Sequence, residues 1–149
     1  MNFVGKLINQ KKDGINVNFE DMQKFIREND AKNYGANEAS RFILISTLGE
    51  SEQHCLISKT LDTKKEREII NENLKNTNKL KIIIYGKNAS DETVDKKFSQ
   101  LKNLGFHNVF IYRGGLFEWL MLQDIYGDDE FITTSRELDI IQYRNPSIF

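Results

Sequence analysis

One thiol, two imidazoles and a short polar loop are what this sequence offers for chemistry. The thiol is Cys55, the only cysteine in 149 residues. A thiolate nucleophile needs a lowered pKa, supplied by a helix N-terminus or a cationic neighbour. His54 adjoins Cys55, but successive residues of an extended chain point to opposite faces, so adjacency alone makes no pair. The bland alternative is a small buried hydrophobe, the commoner role of a lone cysteine. His107 falls in a helix-to-strand turn, where exposure is expected. Two histidines and one cysteine without ligand spacing give no zinc site. No P-loop glycine pattern or Ser-His-Asp order is present, and no cofactor is expected.

The polar loop is Gly86-Lys87-Asn88-Ala89-Ser90-Asp91. It lies between an apolar, mostly β-branched run, Lys81-Ile82-Ile83-Ile84-Tyr85, and a helix pattern with Val94, Phe98, Leu101 and Leu104 on one face. Gly105 stands where that helix needs a C-terminal cap, and Lys102 near its end suits the dipole. Val109-Phe110-Ile111-Tyr112 then returns as a strand. Strand, helix and strand with short connections make a right-handed crossover between parallel strands. Its loop opens at the carboxyl edge of the sheet, where open α/β sheets place their sites. Asp91 and Glu92 at the helix start complement its dipole and leave the loop a connector. The functional alternative is a loop that takes a neutral or cationic group, or a partner's basic side chain. Lys87 and Arg113 flank its mouth.

Gly105-Phe106-His107-Asn108-Val109, followed by Gly114-Gly115-Leu116-Phe117-Glu118-Trp119, resembles the closing segment of rhodanese-like domains. Those typically read G-F-x-N-V, a strand, then G-G-x-x-x-W. The resemblance covers roughly residues 15 to 126. It implies an α/β fold with a mostly parallel sheet of four to five strands and helices on both faces. In the family, the strand before the helix ends in a cysteine that opens the active loop, commonly C-x-x-G-x-R. Here Gly86 stands at the cysteine, Ala89 at the glycine and Asp91 at the arginine. The strand that often ends D-V-R reads Ser46-Thr47-Leu48, and Gln53-His54-Cys55-Leu56-Ile57 falls where the family has G-H-I and a short strand. The resemblance therefore implies a catalytically silent domain that serves as a binding or regulatory module. The alternative is a sulfurtransferase or persulfide carrier that uses Cys55 from outside the loop. The fold's relation to cysteine-dependent phosphatases does not help, because that chemistry needs the same missing cysteine.

The remaining elements support one domain over residues 1–149, with a core about 15–126 and an extension about 127–149. Residues 1–14 are ambiguous, and Ile15-Asn16-Val17 alternates as a short strand. Asn18 caps a helix whose apolar face is Phe19, Met22, Phe25 and Ile26. A loop spans 31–40, and Arg41 to Thr47 is a second buried strand, central like Ile82 to Ile84. A helix over 64–75 turns Ile69, Ile70 and Leu74 inward. The helix Leu116–Tyr126 is apolar nearly all round, and Trp119 belongs in the core beneath the Gly-Gly turn. Thr134 and Glu137 have capping-box spacing, which predicts a short helix from Ser135 to about Gln142. Ile140, Ile141, Tyr143, Ile148 and Phe149 add apolar surface. The tail is expected to pack back on the domain or across a homodimer, with a protein partner as a further occupant. A net charge of −1 gives no basic surplus for nucleic acid. The sequence lacks a membrane span or signal peptide, so a soluble intracellular protein is expected, with the cytoplasm as its compartment.

Overall fold

The computed structural model describes residues 15–30 and 41–149. Expectations for 1–14 and 31–40 lie outside those residues. Among the described residues four strands alternate with four α-helices: β1 (Asn16–Val17), α1 (Phe19–Asp30), β2 (Arg41–Ser46), α2 (Thr63–Glu72), β3 (Leu80–Tyr85), α3 (Glu92–Asn103), β4 (Val109–Tyr112) and α4 (Gly115–Tyr126). All strand pairings are parallel, in the order β1-β4-β3-β2. Parallel pairing requires crossovers, and the helices supply them. β3 and β4 occupy the middle. β2 was expected to be central but stands at the end of the order. Among the described residues its outer side meets a single parallel bridge, Leu44 with Thr60.

Strand alternation divides the core in two. Ile43, Ile45, Leu80, Ile82, Ile84, Val109 and Ile111 face α2 and α3. Leu44, Ile83, Tyr85 and Tyr112 face α1, α4 and the chain beyond α4. Helices thus cover both faces, as a continuous apolar strand demands. Asn18 and Asp21 cap α1 reciprocally, each side chain accepting from the other's amide at 3.0 Å. Met22, Phe25 and Ile26 on that helix are buried. On α3, Val94 and Leu101 are buried but Leu104 is 50 % exposed. The helix has ended by Leu104, and Gly105 follows with φ +98. Likewise α2 ends at Glu72, so Leu74 lies outside it and is 42 % exposed.

Two local expectations are corrected. No strand forms at Gln53–Ile57; the segment is a turn with one antiparallel bridge, Ile57 to Thr133. No α-helix runs from Ser135 to Gln142, only a 3₁₀ turn at Ile140–Tyr143. The capping-box side chains are committed elsewhere. Thr134 Oγ1 accepts from the Leu56 amide, and Glu137 accepts from the Asp139 amide and meets His54.

Candidate functional site

Parallel strands end together, so the segments after Ser46, Tyr85 and Tyr112 share one edge. The loop Gly86–Asp91 lies at that edge and is closed on itself. The Asp91 carboxylate turns back into it. Oδ2 accepts from the Lys87 amide at 2.9 Å, and Oδ1 accepts from the Thr93 amide at 3.0 Å and from Thr93 Oγ1 at 2.5 Å. Thr93 Oγ1 also lies 2.8 Å from Thr47 Oγ1, which ties the loop to the end of β2. Asn88 folds a second turn, its Oδ1 accepting from the Ser90 amide at 2.9 Å.

The floor of the loop is α4. The Leu116 and Phe117 amides donate to Gly86 O and Lys87 O at 2.9 and 2.8 Å. Amides at a helix start are free donors that suit an anion, but here they hold loop carbonyls. This approach requires glycine at 115. Its φ is +67, and a Cβ there would stand 2.6 Å from Gly86 O. Gly86 is similarly confined. A Cβ on it would meet Val94 Cγ2 at 2.7 Å and Asp91 Cγ at 2.9 Å, with Asp91 Oδ2 closer still.

The two cations at the mouth are paired. Lys87 Nζ is 2.7 Å from Glu52, and Arg113 grips Asp95 with two bonds of 3.1 and 2.6 Å. The guanidinium holds the Asp95 carboxyl below its ordinary value. Ala89 and Ser90 are exposed, whereas Gly86 and Asn88 are buried.

Cys55 is fully buried, and its Sγ donates to Ser135 O at 3.3 Å. Burial pushes the thiol above its ordinary 9.0, the opposite of an activated nucleophile. His54 is taken by Glu137 at 2.7 Å. His107 is exposed. Among the described residues, no three His, Cys, Asp or Glu side chains converge as metal ligands.

Sequence reasoning missed the lid on this edge. Asn88 Nδ2 donates to Tyr143 O at 2.9 Å and Arg144 O at 3.1 Å. Asn88 before Ser90 signals a local turn, but no sequence spacing announces partners 55 and 56 residues away. Trp119 is buried as expected, and its indole N–H reaches Ile132 O at 3.1 Å.

This edge and the strand order are similar to those of rhodanese-like domains, as the comparisons show. Residues 53–122 match the family model for the rhodanese-like domain. Among solved structures, the chain resembles yeast Ygr203w, described as a protein tyrosine phosphatase of the rhodanese family. The match has 17% identity and a TM-score of 0.55, covering 86% of this chain and 95% of that one. It also resembles the BH2092 protein of Bacillus halodurans at 16% identity and TM-score 0.55, covering 83% and 81%. The Alr3790 protein of Anabaena matches at 17% identity and TM-score 0.53, covering 85% and 97%. No curated protein matches the chain. The chain thus resembles rhodanese-like domains in sequence over residues 53–122 and in fold, and its loop Gly86–Asp91 contains no cysteine.

Proposed function

We propose that the chain is a catalytically silent rhodanese-like domain that serves as a binding or regulatory module. The observation that carries this reading is the Asp91 carboxylate. Sulfur transfer in such a loop needs a thiolate and an open cradle of donors for an anionic substrate. Gly86 supplies no thiol, and the amides of Lys87 and Thr93 are spent on an internal anion. An incoming anion would meet Asp91, with Glu92 exposed beside it. The phosphatase chemistry ascribed to the yeast protein lacks its nucleophile here for the same reason.

A sulfurtransferase using Cys55 is the rival reading. Burial and the raised thiol pKa weigh against it. Incubation with thiosulfate, followed by intact mass and a cyanide assay, separates the two. The silent reading expects no thiocyanate and no added sulfur on Cys55. Activity that disappears with Cys55→Ser would replace it with the rival.

As a module, the domain would offer partners the exposed part of Gly86–Asp91, namely Ala89 and Ser90. It would also offer the apolar surface of Met121, Ile125 and Tyr126 on α4 with Leu138, Ile141, Ile148 and Phe149. A protein partner or a second copy of the chain fits that surface, since large exposed apolar groups favour association. The described strands form one sheet, which supports a single working domain. Among the described residues no helix is long and apolar enough to cross a membrane. A free, buried thiol suits the reducing interior proposed as its location.

A further inference from the structure

We infer that residues 137–144 form a strap that opens and closes over the loop and over Cys55 as one unit. The chain just before the strap is pinned. Ser58 and Thr134 amides pair with Ile132 O and Leu56 O at 3.0 and 2.8 Å, and Gln123 holds Phe131 O at 2.8 Å. The strap beyond is held differently, by Ile140 against the core and a few separate polar contacts. Glu137 meets His54, itself half-exposed, and Asn88 clips Tyr143 O and Arg144 O. The ring of Tyr143 is buried in the cluster that contains Cys55.

Tyr143 is the reason to read this as a device rather than a fixed wall. Its hydroxyl is buried without a hydrogen-bond partner among the described residues. A buried orphan hydroxyl penalises the closed state, because opening returns it to water. The clip and the ring favour closure while the hydroxyl opposes it. Such a balance puts local opening well below global unfolding in cost. Tyr143 carries the carbonyl over Asn88, and its ring packs in the same buried cluster as Cys55, so lifting it uncovers the loop and loosens the packing around Cys55 together. This holds whether or not the loop is silent.

Cys55 is a built-in reporter of opening in the full-length protein. Its alkylation rate by iodoacetamide is measured beside hydrogen exchange of the Lys87–Ser90 amides and of the β3 amides. In the wild type, Cys55 and the loop should open with the same equilibrium, at least about a hundredfold more often than β3. Asn88→Ala should raise both signals roughly tenfold, since two bonds to the strap are lost. Tyr143→Phe should lower both several-fold, by removing the orphan hydroxyl and keeping the ring. A local loosening of the loop would move its exchange in Asn88→Ala but leave Cys55 untouched, which overturns the inference. So would Cys55 alkylation that follows β3 exchange in all three proteins.

Discussion

Gly86 is confined by Asp91, and that makes their substitutions interdependent. Gly86→Cys alone should destabilise by about 1–3 kcal/mol, because its Cβ must displace Asp91 or Val94. It should show no sulfur transfer, since the nearby carboxylate also disfavours a thiolate. Asp91→Arg removes that carboxylate and a helix cap worth about 1 kcal/mol. The double variant should therefore be more stable than the sum of its singles, measured by urea unfolding, and it should gain the first detectable transfer. Ala89 imposes no further barrier, because its φ is not positive and the position does not demand glycine. Additive losses would show that Asp91 does not crowd position 86. The buried phenols and thiol set a second expectation at this scale. Burial pushes Tyr143 up to about 12 and raises Tyr85 and Tyr112 further. Below the ordinary value of 10.0, folded and unfolded chains both keep these protons. Above it the unfolded chain releases them first, so stability falls as pH rises. Cys55 starts the decline from 9.0. Melting temperature should be insensitive to these groups below about pH 9 and drop steadily above it. Tyr143→Phe should flatten the part between 10.0 and about 12; an unchanged slope would refute that assignment.

Elements differ in how plainly the sequence declares them, and β3 is the clearest case. Its apolar run has no other home than a strand covered on both faces, and Ile82, Ile83 and Ile84 are all buried. Ile83→Asp should abolish folding, because an unpaired carboxylate there costs several kcal/mol, about as much as a marginal domain holds. Soluble expression with an unchanged melt would contradict the packing. The crossover and the α1 cap were equally legible, since each rests on short connections or on contacts within a few residues. What stayed hidden depends on distant partners. Thr134 and Glu137 read as a helix start because capping is local, yet both side chains are taken by residues 54 and 56, far back in the chain. Asp91 was legible as a dipole-complementing residue. Its return into the loop was not, because that depends on the room an absent Cβ at Gly86 leaves. The edge position of β2 escaped for a related reason. Burial on both faces shapes its composition, whereas strand order depends on how the crossovers run.

At the scale of the whole molecule, the C-terminal segment is both part of the core and part of the surface. Tyr143 is buried and Ile140 packs against the core, while Ile125 on α4 and Ile141 beside it remain 65 % and 64 % exposed. The tail thus packs back through one face only, and its other face, with Leu138, Ile148 and Phe149, is left to solvent. Deleting Glu137–Phe149 sets two effects against each other. It empties the slot of a buried aromatic, a loss of about 3–5 kcal/mol less whatever the orphan hydroxyl was costing. It also removes four exposed apolar side chains that favour association. Stability has only one large term, so the melting temperature should fall by roughly 10 °C or more for a domain of this size. Association is decided by which surface the chain uses. If the tail's outer face joins two copies, light scattering should show a dimer in the full chain and a monomer in the truncated one. If the uncovered slot dominates instead, the truncated chain should aggregate where the full one does not. A truncated protein with the same melt and the same mass as the full chain would deny the segment both roles.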